Sequence, residues 1–101
     1  MTRRIPILSF NEDMHSKKPQ IYRSLVEGIS DAIKDNDSKI ELCEVRNSNI
    51  YVTVDRRDWK LSLDKALEFY ENKEEYEECS KIIDLINQLW QNILWLLEQV
   101  Q

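Results

Sequence analysis

Residues 74–100 read EEYEECSKIIDLINQLWQNILWLLEQV, twenty-seven residues without a glycine or a proline. Within them Tyr76, Cys79, Ile83, Ile86, Trp90, Ile93, Leu97 and Val100 recur at alternating spacings of three and four. A second line, Ile82, Ile86, Leu89, Ile93, Leu96 and Val100, has the same alternation. At about 100° per residue the two lines merge into an apolar arc of roughly 180°, wider than the seam of a two-stranded coiled coil. The pattern predicts one long helix from about Glu74 to Val100, covered on two sides. Such a helix spans about 40 Å, against a radius of gyration of about 13 Å for a compact 100-residue domain. Its far end is therefore expected to overhang the fold and to seek a partner, because exposed apolar surface of that size marks an interaction site. Trp90, Ile93, Leu97 and Val100 are the expected self-association residues. Trp95 falls on the polar side, among Asp84, Gln88, Gln91 and Glu98, and is a candidate anchor for a further contact.

Upstream lies a shorter amphipathic stretch over about 62–72, with Ser62 as its expected cap and Leu63, Ala66, Leu67 and Tyr70 as its stripe. Asn72-Lys73 separates it from the long helix, which makes the pair a helical hairpin. Before it come two β-rich runs, Ile40–Val45 and Ile50–Val54, around Arg46-Asn47-Ser48-Asn49. A tight hairpin pairs Val45 with Ile50 and Cys43 with Val52. That register puts Cys43, Val45, Ile50, Val52 and Val54 on one face with Glu41 at its margin, and Leu42, Tyr51 and Thr53 on the other. Further upstream, Ile21, Leu25, Ile29 and Ile33 recur every fourth residue behind Pro19, predicting a helix over about 19–34 that ends at Asp35-Asn36-Asp37-Ser38. The short apolar run Arg4–Phe10, interrupted by Pro6, reads as an edge strand or extended arm.

The expected fold is α+β: an N-terminal arm, one helix, a β-hairpin, and a two-helix C-terminal hairpin with a long final helix. A chain of 101 residues suits a single domain, with an arm and loop over 1–18, the helix and β-hairpin over 19–58, and the helical hairpin over 59–101.

Residues 62–86 also resemble a known motif. Tyr76-Glu77-Glu78-Cys79-Ser80-Lys81-Ile82-Ile83-Asp84-Leu85-Ile86 is similar to the UVR motif, the helical hairpin of UvrB, UvrC and some chaperone adaptors. Tyr76, Glu77, Asp84 and Ile86 fit its pattern directly, and Cys79, Ser80 and Ile82 are conservative variants. Leu63 and Leu67 fall where the preceding helix carries apolar residues. Ile83 stands where the family usually has arginine, and Tyr70 where it prefers a small residue. Over residues 62–86 the resemblance implies protein–protein association rather than catalysis.

Charge is unevenly placed. Residues 1–60 carry eleven Lys and Arg against ten Asp and Glu, whereas residues 61–101 carry three lysines against nine acids. An acidic surface repels nucleic-acid phosphate, so no direct nucleic-acid partner is expected. Glu68, Glu71, Glu74, Glu75, Glu77 and Glu78 form a candidate acidic surface for a protein partner with a basic face. The basic group Arg3, Arg4, Lys17, Lys18 and Arg23 is interrupted by Glu12 and Asp13. The run Ile5–Phe10 is too short for a signal segment, and Ile82–Val100, the most apolar window, contains Asp84, Asn87, Gln88, Gln91, Asn92 and Glu98, so no membrane partner is expected. Cys43 and Cys79, without secretory context, read as buried thiols in a reducing compartment, which places the chain in the cytoplasm.

Catalytic chemistry lacks parts. One histidine, His15, in a polar stretch cannot build a triad or a histidine metal site. The single glycine, Gly28, rules out a glycine-rich phosphate loop. No catalytic, cofactor-binding or metal-ligating residue is assigned. The expectation is a non-enzymatic interaction module, self-associating through its last helix and regulating or scaffolding a partner protein. The alternative is a small acidic inhibitor, encoded by a phage or mobile element, that blocks a nucleic-acid-binding enzyme.

Overall fold

The computed structural model describes residues 5–9 and 16–99, and in the last helix the side chains of residues 92–96 and 99 are not described. The chain is α+β and divides into two compact units, Met1–Trp59 and Lys60–Gln101. The ends of the expected arm (Arg3, Arg4 and Phe10), His15, and the side chains of Ile93, Trp95 and Val100 lie outside what is described.

The first unit is built around a three-stranded sheet of order β1-β2-β3. Strand β1 (Ile7–Leu8) runs parallel to β2 (Lys39–Val45), and β2 is antiparallel to β3 (Tyr51–Asp55). The parallel pair needs a crossover, supplied by α1 (Lys18–Asp35), which packs on β2. The run around Pro6 therefore does form an edge strand: the Pro6 carbonyl accepts from Glu44 N at 2.9 Å and the Leu8 carbonyl from Arg46 N at 2.9 Å. Proline costs nothing there because its missing N–H is not needed by the ladder.

Helix α1 matches its periodicity. Pro19 lies in its first turn, where the missing N–H would have no helical acceptor. Leu25, Val26, Ile29 and Ala32 are buried. Asn36, at φ 57°, ends the helix in the left-handed conformation, and Asp37 N donates to the Ala32 carbonyl at 2.9 Å.

The hairpin pairs as expected at its turn end. Val45 N donates to the Ile50 carbonyl at 2.9 Å, and Cys43 lies opposite Val52. Ser48 secures the turn by donating to the Val45 carbonyl and accepting from Ile50 N. One residue further along, the register shifts, because Glu41 pairs with Thr53 and leaves Leu42 as the extra residue of a β-bulge. The bulge corrects the expected face. Ile40, not Glu41, joins Cys43 in the core, at 5% and 3% exposure, and Glu41 is exposed. Ile50, beside the turn, is 60% exposed rather than packed.

The bulge has an identifiable partner. Ser24 of α1, itself buried, donates from Oγ to the Leu42 carbonyl at 2.7 Å. A hydroxyl on so short a side chain reaches the strand only when the helix backbone lies close, and Gly28, buried one turn later on the same face, has no Cβ to keep it away. Ser24→Ala should therefore cost about 1–2 kcal/mol through loss of this donor to a bulge carbonyl. Urea unfolding checks this, and an unchanged midpoint would refute it.

The next helix begins earlier than its apolar stripe predicts. Arg56–Asp58 form one turn of 3₁₀-helix, and α2 runs Trp59–Asn72, so Ser62 lies inside the helix and caps nothing. Trp59 is completely buried, and its indole N–H donates to the Val54 carbonyl at 3.0 Å. The Arg56 guanidinium stands 5.2 Å from the Trp59 ring centroid and donates to the Asp37 carbonyl at 3.1 Å.

In the second unit α2 buries Leu63, Ala66 and Tyr70. It ends with Glu74 at φ 58°: Glu74 N donates to the Glu71 carbonyl and Glu75 N to the Tyr70 carbonyl, both at 3.0 Å. Helix α3 follows as Tyr76–Gln99, with no break at Gln91-Asn92, and completes the helical hairpin. Among the described residues no helix is long and apolar enough to cross a membrane.

Candidate interaction surface

The apolar arc of α3 divides in two. Cys79, Ile82, Leu85 and Leu89 are buried, and Ile86 is half-buried between them. These residues cluster about one direction on the helical wheel. Tyr76, Ile83, Trp90 and Leu97 instead stand open, at 66, 47, 46 and 59% exposure. They are spaced seven residues apart, so they form a continuous stripe along roughly 31 Å of axis, about a quarter turn from the buried face.

The sequence pattern places both stripes on one helix but does not separate them. Of the expected self-association residues, Trp90 and Leu97 lie on the open stripe. Tyr76 and Ile83 belong to the same stripe and were part of the periodic pattern, though not singled out by it. Their signal was the seven-residue interval they share with Trp90 and Leu97. Among the described residues the other large exposed apolar side chains are more scattered. Ile7 and Tyr51 both pair with Glu44 across the sheet, Ile50 adjoins the turn, and Leu61 lies near the start of α2.

The polar surroundings are asymmetric along α3. Glu77 and Glu78 lie in its first turn, just after Glu74 and Glu75. Lys81 and Asp84 follow, and then no charged residue occurs from Leu85 to Leu97. Glu68, Glu71, Glu74, Glu75 and Glu77 are exposed. Glu78 is half-buried and accepts from Lys81 Nζ at 3.0 Å, an ion pair one turn apart. Lys73 covers the Phe69 ring, its Nζ 4.6 Å from the centroid. The acidic residues thus gather around the connection between α2 and α3, while residues 85–97 of α3 carry no charge and have only asparagine and glutamine as hydrophilic side chains. No family model, curated protein or solved structure matches the chain.

The two cysteines are free thiols and both are buried, in accord with their expected state. Burial pushes the Cys43 thiol above its ordinary value of 9.0. Burial does the same to Cys79; Glu71, Glu75 and Glu78 add to it, against a backbone hydrogen bond that lowers it. Both thiols are consequently protonated at neutral pH and poor nucleophiles. The neutral form is the one the fold favours, so its contribution to stability is complete below the unfolded thiol pKa and declines as pH rises through the higher folded values. Native protein should therefore react with iodoacetamide more slowly than urea-unfolded protein at pH 8, with its rate rising at higher pH than that of a free thiol. Equal native and unfolded rates would contradict the burial. Among the described residues no group of three or more His, Cys, Asp and Glu side chains is placed to hold a metal ion.

Proposed function

We propose that this chain is a protein-interaction module that self-associates through α3 and thereby regulates or scaffolds a partner protein. The observation that carries the reading is the open stripe of Tyr76, Ile83, Trp90 and Leu97. Single exposed apolar residues are ordinary on a protein surface, but four in line on one helix, two of them aromatic, have the composition of an interface core. The resemblance of residues 62–86 to the UVR hairpin points the same way. Free thiols suit a reducing compartment, so the cytoplasm is the proposed location.

Sedimentation equilibrium over the micromolar range tests the reading. The apparent mass should rise above that of one 12.1 kDa chain as concentration increases. A single-chain mass throughout the range would refute it.

A further inference from the structure

Resting on that reading, we propose that the occupant of the stripe is a second copy of this chain whose α3 runs antiparallel to the first. An interface of two identical surfaces must be complementary to itself under a two-fold rotation. Both a parallel and an antiparallel pair of helices satisfy that condition, and the side chains and charges brought level distinguish the two. The midpoint of the stripe lies between Ile86 and Asn87. Reversing a copy about that point brings Trp90 level with the partner's Ile83 and Leu97 level with the partner's Tyr76. Each ring then meets an aliphatic side chain. A parallel pairing stacks Trp90 on the partner's Trp90 and Tyr76 on the partner's Tyr76.

Charge selects the same direction. In a parallel pair Glu74, Glu75, Glu77 and Glu78 lie beside the same four residues of the second copy, and like charges held that close disfavour association. In the antiparallel pair Glu77 and Glu78 come level with the uncharged run of residues 85–97, and Glu75 alone comes level with an acid, the partner's Glu98. The helix dipoles also oppose each other only in this arrangement.

The open area fits a modest dimer. The four side chains leave roughly 450 Å² uncovered on each helix, so a pair buries roughly 900 Å² before flanking amides are counted, an area that corresponds to weak, reversible association. A seven-residue repeat on a 3.6-residue helix drifts by about 20° per repeat, which two helices accommodate by a left-handed crossing.

Spin labels on Glu77→Cys separate the alternatives. The position is exposed, whereas both native thiols are buried and take up label slowly. In the antiparallel pair the two labelled positions lie roughly 28 Å apart along the axis, and in a parallel pair within about 10 Å of each other. Pulsed dipolar spectroscopy should give a distribution centred near 30 Å that disappears when Trp90→Ala is added. A dimer with a distance below about 20 Å would overturn the antiparallel arrangement and leave self-association standing. A dimer that persists with Trp90→Ala would remove the stripe as its interface. A protein that remains monomeric would overturn both.

Discussion

Replacing Trp59 by alanine should destabilise the protein by about 3–5 kcal/mol, the range for deleting a fully buried aromatic side chain. Trp59 has no exposed surface, and its indole N–H holds the carbonyl of Val54 at 3.0 Å. The substitution therefore opens a cavity and takes a donor from a strand carbonyl in one step. It also removes the ring beneath Arg56, whose guanidinium and backbone N–H join the end of β3 to Asp37 and Ser38. Domains of this size have a total stability of about 5–15 kcal/mol, so the variant should be partly unfolded at physiological temperature, with Tm lowered by roughly 15 °C or more. Trp59→Phe keeps most of the volume and loses the N–H, and should fall between wild type and alanine. Urea unfolding followed by circular dichroism decides the matter. A loss below about 1 kcal/mol for Trp59→Ala would show that the buried indole does not anchor the fold.

The second large effect concerns assembly and leaves the fold intact. Trp90 is 46% exposed, so Trp90→Ala should cost a single chain about 1–2 kcal/mol, within the stability of a domain this size. In a two-fold pair it is counted twice. Truncating a tryptophan at the centre of an interface costs about 2 kcal/mol or more, so the two together should weaken dimerisation by about 1000-fold. Alanine is the informative replacement because it adds no charge to an already acidic protein. Leu97→Ala, nearer the end of the stripe, should act in the same direction with smaller size. Gln88→Ala, exposed on a different side of α3, should leave the association constant unchanged. Sedimentation equilibrium of the three variants, with circular dichroism to verify folding, provides the test. Equal association for wild type and Trp90→Ala would eliminate the stripe as an interface.

Much of the architecture could be read from the residues alone, and the failures have local causes. The four-residue recurrence of Ile21, Leu25, Ile29 and Ile33 locates α1 because nothing in that stretch competes with helical burial. The pairing of Cys43 with Val52 follows from a short turn and alternation. The bulge at Leu42 is different, since its off-ladder carbonyl is taken by Ser24, eighteen residues away, and no neighbour in sequence announces that. The start of α2 was hidden for a similar reason. Arg56-Arg57-Asp58 looks like an interruption, and Trp59 starts a helix because its indole reaches back to β3. The periodicity of α3 located the candidate surface but could not divide it. Separating Ile82 and Leu89 from Ile83 and Trp90 requires knowing which quarter of the helix faces inward, and the sequence supplies an arc without an origin.

Among the described residues the chain makes three left-handed turns, at Asn36, Asn47 and Glu74, without a glycine at any of them. Its one glycine lies instead within α1. Asparagine tolerates that conformation, while glutamate at position 74 holds it at a penalty of about 1 kcal/mol in the native state. The return appears in the denatured ensemble, where every connecting segment carries a side chain that narrows its conformational choices. Part of this protein's stability thus belongs to the stiffness of the chain before it folds, a contribution no contact in the folded structure displays.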